Sequence, residues 1–208
     1  ISTHWGSGVG GTLTTEAGYR DLLRKNRAKI SPLSVVLGMS NAAAAHIAQF
    51  LTLGGPCLTY SVACASSAIA IGEALQRVRS GATDLALAGG SDAPLSLGTV
   101  AAWHSLQILA PAQPNAASSC RPFSSDRGGL VLAEGAAALV LEELEHARRR
   151  GATILAEVCG YGASCDHSHL TRPSTEGQIR ALRAALADAG IQANEVGYVN
   201  AHGTATPE

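Results

Sequence analysis

Residues 56–90 read PCLTYSVACASSAIAIGEALQRVRSGATDLALAGG, and the fold is decided here. Gly54-Gly55-Pro56 opens a strand over 56–63. Residues 66–80 have Ile69, Gly72, Leu75, Gln76 and Val78 at helical spacing, with Gly81 to close the helix. Residues 84–88 form a short apolar run ended by Gly89-Gly90, the signature of a buried strand. Strand, helix and strand in succession predict α/β layers. The helix is built of small residues, so it can lie buried at close approach to a sheet.

Outward from this unit the alternation continues. A strand is predicted over 136–141, then a short helix whose last turn carries Arg148-Arg149-Arg150 before Gly151, as the helix dipole favours. That cationic run is a solvated helix end. Residues 154–158 alternate like a strand. The clearest helix spans 176–189, with Ile179, Leu182, Leu186 and Ala189 on one face, a capping box of Thr175 with Gln178, and Gly190 as the stop. A last strand over 196–201 leads into His202, and 111–119 is a Pro-bearing loop. The best internal boundary lies near Gly151, dividing the chain into 1–151 and 152–208.

Composition narrows the function classes. The chain has 208 residues, 46% hydrophobic, and so can bury a core. Its net charge of −1 argues against a nucleic-acid partner. No run of about 18 apolar residues exists to span a membrane. Cys57, Cys64, Cys120, Cys159 and Cys165 are odd in number and lack CxxC spacing, which predicts free thiols in a reducing compartment, hence a cytoplasmic protein. Cys165-Asp166-His167-Ser168-His169 crowds possible metal ligands, but a polar loop is the expected reading, with no metal. Residue 1 is Ile1 and the chain stops at Glu208 just after a motif, so a piece of a longer protein is expected.

Two features could carry chemistry. Cys64 stands at the predicted strand-to-helix junction within Ser61-Val-Ala-Cys64-Ala-Ser-Ser67. Free N–H groups and the positive end of the dipole favour a thiolate there, by roughly 0.3–1 kcal/mol. The alternative is a structural buried cysteine. The second feature is Asn200-Ala-His202-Gly203-Thr204-Ala-Thr206-Pro207. A histidine at a strand end, followed by a glycine and two threonines, suits a loop that meets a polar substrate arm; a merely satisfied histidine is the alternative. Together they are stronger, because a cysteine nucleophile needs an imidazole partner. Gly6-Ser-Gly8-Val-Gly10-Gly11 matches GxGxxG but lacks the βαβ context of a nucleotide site, so a flexible turn is expected. Gly89-Gly90-Ser91-Asp92-Ala93 falls short of a GxSxG elbow and reads as a turn after a strand. Arg127 and Glu134 could form an ion pair across a tight loop, more architectural than catalytic.

Cys64 in Val-Ala-Cys-Ala-Ser-Ser and His202 in Asn-Ala-His-Gly-Thr-Ala-Thr-Pro resemble the nucleophile and first-histidine motifs of β-ketoacyl synthases. Gly6–Gly11, Lys29-Ile-Ser-Pro32, Gly55-Pro56, Ala88-Gly-Gly90, Arg121-Pro-Phe123, Arg127 to Gly135, Gly160-Tyr-Gly162 and Ser164 to Thr171 follow in the same order, so the resemblance runs through nearly the whole chain. It is nearest the elongating type II fatty-acid or polyketide kind. The chain departs at Gly128, where the family commonly has Asp, and at Ala133, where it commonly has Gly.

The resemblance implies a thiolase-like α/β fold of two related halves, layered αβαβα, and a homodimer in the whole protein. It implies that the opening strands, a second histidine, a lysine and a Gly-Phe-Gly-Gly oxyanion loop lie outside this chain, which is then inactive alone. It assigns Cys64 and His202 to catalysis. Thr204, Thr206 and Thr171 would bind the pantetheine arm of acyl carrier protein, the expected partner, and Met39 and Trp103 would line the acyl pocket. No resident cofactor is implied, since the substrates ride on phosphopantetheine. The alternatives are a non-catalytic subunit like a chain-length factor, which would lack the nucleophile, and a thiolase or initiating synthase that uses coenzyme A.

Overall fold

The computed structural model describes residues 1–25 and 29–207. In chain order they form β1 (Ser2–Gly6), α1 (Thr12–Arg24), α2 (Ser34–Gly38), α3 (Ala42–Phe50), β2 (Cys57–Tyr60), α4 (Ser66–Arg79), β3 (Leu85–Asp92), α5 (Leu97–Ser105), β4 (Gly135–Glu142), α6 (Leu144–Arg149) and α7 (Thr175–Ala189). The sheet order is β2-β1-β3-β4. β1 runs parallel to both neighbours, and β4 returns antiparallel to β3. The parallel order needs a crossover between β2 and β3, and α4 supplies it.

α4 contacts all four strands, while α3 contacts β1 and β2. Ala74 and Val78 of α4 meet Ala86 and Ala88 of β3 to make the apolar core. Small residues dominate because the helix comes very near the sheet. A side chain at Gly6 would collide with the backbone of Ser66 and Ser67, and one at Gly90 would lie 2.7 Å from Ser67 Cβ. Gly81 closes α4 with φ +72°, as its place in the sequence predicts.

The central strand β1 was not signalled by periodicity. All five of its residues are buried, yet Ser2, Thr3 and His4 are polar, so neither an apolar run nor an alternation marks it. Ser2, His4 and Gly6 share the face that meets α4, leaving Thr3 and Trp5 for the other. His4 finds partners inside: Nδ1 lies 2.9 Å from the Tyr60 hydroxyl and Nε2 lies 3.2 Å from Ser2 Oγ. The Tyr60 ring stacks on the imidazole, with centroids 5.9 Å apart.

Other expectations are corrected. β3 does not end at Gly89-Gly90 but continues to Asp92, because both glycines stay paired, Gly89 with Trp5 and Ala138, Gly90 with Gly6 and Ala137. The cap of α7 is Ser174, whose hydroxyl accepts from the Gly177 N–H at 3.3 Å, rather than the Thr175–Gln178 box. Leu182 of the predicted apolar face is exposed; α7 is instead approached at Ala181, Ala185 and Ala189 by the backbone of Gly160 and Gly162. The strands predicted over 154–158 and 196–201 enter no ladder among the described residues. Their sequences suit strands, but a strand also needs a neighbour for its N–H and C=O groups.

The later segment is tied to the outer side of α4. Arg79 bonds Asp188 at 2.7 Å and donates to the Cys159 carbonyl. Asp188 also accepts from the Tyr161 N–H at 2.8 Å, and the Tyr161 ring fills the space a side chain at Gly72 would need. The Tyr161 N–H leads the interactions that hold the Asp188 carboxyl below its ordinary range, ahead of Arg79.

Burial, with a smaller push from Arg77, lowers the pKa of His4 below its ordinary 6.5. The unfolded chain therefore binds a proton more readily than the folded one near that pH, and stability falls as pH drops below 6.5. The urea-unfolding midpoint, followed downward from pH 7.5, is expected to decline through this window in the natural sequence. In His4→Phe, whatever its baseline stability, that part of the slope is expected to vanish.

Candidate active site

Cys64 follows Ala63, whose φ of +49° puts a residue with a Cβ in the left-handed region, and it precedes Ala65, the N-cap of α4. Ser66 fixes this elbow. Its buried hydroxyl accepts from the Val62 N–H at 2.8 Å and donates to the Ala63 carbonyl at 2.6 Å. Ala65 itself gives the helix no side-chain cap. Cys64 is exposed and lines a cavity of about 380 Å³ together with Gly6, Ser67, Gly90, Asp92 and Gly135. The sequence reading of a cysteine at a strand-to-helix junction matches this position.

The glycine-rich loop lies beside the elbow. The Asp92 carboxylate accepts from Ser7 Oγ at 2.9 Å, from the Gly8 N–H at 3.0 and 3.1 Å, and from the Val9 N–H at 3.2 Å. Ser7 Oγ in turn accepts from the Gly10 N–H at 3.0 Å. Successive N–H groups of this kind form a nest for an anion, and the chain fills it with its own carboxylate. The nest is therefore not open to a phosphate, and the turn is tied to β3 by these bonds. In sequence Asp92 falls in a stretch that reads as a turn, and its one local signal is an acid two residues beyond Gly89-Gly90.

His202 is exposed and begins a loop held from below by another segment. Arg127 Nε donates to the Thr206 carbonyl at 2.9 Å and one of its terminal nitrogens to the Pro207 carbonyl at 3.0 Å. The Gly129 N–H donates to the Ala205 carbonyl at 2.9 Å. Gly203, at φ +51°, rests on the Phe123 ring, and the hydroxyls of Thr204 and Thr206 lie 2.8 Å apart. The stretch from Arg127 to Gly135 thus touches the histidine loop at one end and the Cys64 cavity at the other. His202 does not line that cavity among the described residues. Arg127 and Glu134 do not pair with each other: Arg127 serves carbonyls, and Glu134 accepts from the Leu95 N–H at 3.1 Å.

The remaining candidates lie apart. Met39 ends α2 and is 52% exposed, and Trp103 is half-buried in α5; neither lines the Cys64 cavity. Thr171 turns to its own loop, with its N–H 3.1 Å from His169 Nδ1. Asp166 accepts from the Ser174 N–H at 2.7 Å at the start of α7, His169 Nδ1 meets the N–H groups of Thr171 and Arg172 and the Thr171 hydroxyl, and the Cys165 carbonyl accepts from Arg180 at 2.9 Å. Gly128 sits beside Pro111, where a Cβ would lie 3.0 Å from the proline Cδ, and Ala133 lines the cavity.

Residues 2–147 match the family model described as "Beta-ketoacyl synthase, N-terminal domain", and residues 155–208 match "Beta-ketoacyl synthase, C-terminal domain". The chain is 47% identical over 201 residues to nodulation protein E of Rhizobium sp. (strain N33), covering 96% of this chain and 48% of that protein. It is 39% identical over 204 residues to 3-oxoacyl-[acyl-carrier-protein] synthase 2 of Staphylococcus aureus, covering 97% of this chain and 50% of that protein. A solved complex of a type II PKS acyl-carrier protein with its ketosynthase superposes with a TM-score of 0.91 at 29% identity, over 99% of this chain and 52% of that one. The chain spans about half the length of the curated relatives it matches. The sheet and helices are those of the thiolase-like α/β fold of ketosynthases. With both family models matched in order along its length, this chain belongs to the β-ketoacyl synthase family.

Proposed function

We infer that the protein carrying this chain is an elongating β-ketoacyl-[acyl-carrier-protein] synthase, an acyltransferase of fatty-acid or polyketide synthesis in the cytoplasm. The observation that carries the reading is Cys64: a thiol beside a left-handed elbow, just before a helix packed on the sheet whose N-cap Ala65 gives no side-chain cap, lining a cavity. The relative from Staphylococcus aureus is named a 3-oxoacyl-[acyl-carrier-protein] synthase, and the solved neighbour is a ketosynthase in complex with its acyl-carrier protein. Acyl carrier protein is accordingly the proposed partner, and a homodimer the proposed assembly.

In this mechanism the Cys64 thiolate attacks the carbonyl of an acyl thioester and the carrier thiol leaves. The chain is then held as a thioester on Sγ. A malonyl thioester enters, loses carbon dioxide and becomes an enolate. The enolate carbon attacks the acyl-enzyme, which returns the Cys64 thiolate and leaves a 3-ketoacyl chain on the carrier. Both carbonyl additions build negative charge on oxygen, so donors must be aimed before the reaction begins. The Cys64 N–H is one proposed donor for acyl transfer. His202 is the proposed donor to the enolate oxygen, with Arg127 and Gly129 fixing its loop. Thr204 and Thr206, with Thr171, are proposed to bond the pantetheine arm, and Met39 and Trp103 to bound the acyl chain. The division at Gly151 is proposed to separate a nucleophile half from a histidine half.

Some ketosynthases are solved with a chain-length factor, and such a partner is the second reading. Retention of Cys64 favours the catalytic subunit. Co-purification of an obligate synthase that carries the acyl group in place of this chain would reverse that choice.

In the whole protein, Cys64→Ala is expected to abolish acyl-enzyme formation, read as the mass added to the intact protein after incubation with acyl carrier thioester. An adduct that persists at another residue overturns the assignment of Cys64. His202→Ala is expected to keep acylation and slow condensation by about 10²–10³-fold, the usual effect of deleting one oxyanion donor. Equal loss of both steps would reject the role given to His202.

A further inference from the structure

The nest around Asp92 lies next to the elbow that presents Cys64, and Ala63, Cys64 and Asp92 line the same cavity. Ala63, at φ +49°, holds a left-handed conformation that a residue with a Cβ rarely adopts, and such strain persists only where surroundings over-determine it. Ser66 grips the Ala63 carbonyl from the helix side, through its hydroxyl at 2.6 Å and its N–H at 3.2 Å. From the other side comes Gly8. A Cβ there would stand 3.4 Å from the Ala63 oxygen and 3.2 Å from Asp92 Oδ2, so this residue lies between the elbow and the carboxylate. Its N–H is bonded to both carboxylate oxygens.

We propose that Asp92 is a positioning residue for Cys64: it fixes the 7–10 loop against the Ala63 carbonyl and so holds the elbow that turns the thiol to the cavity. The inference deepens the ketosynthase reading and rests on it. The site demands a carboxylate. Three donors converge on Asp92, the Ser7 hydroxyl and the N–H groups of Gly8 and Val9. A carboxylate only accepts, whereas an asparagine amide must turn its NH₂ toward one of those donors. Bonds to an ionised acceptor are also the stronger kind. Ser7 is 4% exposed and passes the restraint on to Gly10, so release of Asp92 loosens the loop as a unit.

The test follows acylation of the whole protein by N-acetylcysteamine thioesters carrying acetyl to palmitoyl chains, with the adduct at Cys64 timed by peptide mass spectrometry. In Asp92→Asn the saturating acylation rate is expected to fall about 10- to 100-fold, as small misplacements of a reacting group do. The thioester concentration giving half the maximal rate is expected to stay as in the natural protein, and the variant is expected to remain folded at the assay temperature even though its melting midpoint falls. A rate equal to that of the natural protein overturns the proposal. So does a slowing accounted for by the unfolded fraction, which marks a merely structural residue. If Asp92→Asn does not fold, Ser7→Ala carries the test: a smaller slowing supports the proposal, and an unchanged rate overturns it. Absence of any Cys64 adduct in the natural protein would instead overturn the ketosynthase reading beneath it.

Discussion

The contact on which the structure depends is the meeting of the start of α4 with glycines of two strands. Gly6 of β1 and Gly90 of β3 let Ser66 and Ser67 approach to distances that no side chain would permit. That approach puts the first turn of the helix on the sheet and brings Cys64 to the cavity formed where the strands end. Ala74 and Val78 continue the same close packing along the helix, on alanines of β3. Dispersion at this range accumulates over many small contacts, which is how a core with few aromatic rings is held.

α4 and β4 are legible because their signals are local. Helical spacing, a terminal Gly81 and the apolar run into β4 each specify their element without distant information. β1 was hidden because its burial comes from contacts on both faces, whereas its residues Ser2, Thr3 and His4 look like surface. The His4 imidazole could be buried only because Tyr60 and Ser2 were ready to satisfy it, and those partners are distant in sequence or ordinary in type. The apparent strands around Leu155 and Tyr198 show the reverse. Residues 154–158 alternate and 196–201 suit a strand, but pairing is a property of two segments, and Leu155 and Tyr198 are exposed.

The candidate site divides along the same line. Cys64 and His202 were found from motifs, because each stands in a short stretch of unusual composition. Their supports are legible only in part: Arg127 reads as architectural, but its partners do not show in the sequence, and neither does the role of Asp92. Asp92 acts on a loop more than eighty residues earlier, and Arg127 holds a loop seventy-nine residues later. A supporting group is recognised by the donors that converge on it, and convergence exists only in the folded chain. The ion pair imagined between Arg127 and Glu134 failed for this reason: proximity in sequence gave way to carbonyls and an N–H brought nearer by folding.

The grip of Arg127 on the histidine loop is blind to side-chain identity, since it reads the main-chain oxygens of Thr206 and Pro207. The threonine hydroxyls are thereby left free to specialise. Substitutions at Thr204 or Thr206 leave in place the carbonyls that Arg127 holds, so evolution or an engineer can exchange the hydroxyl pair without first rebuilding the mooring.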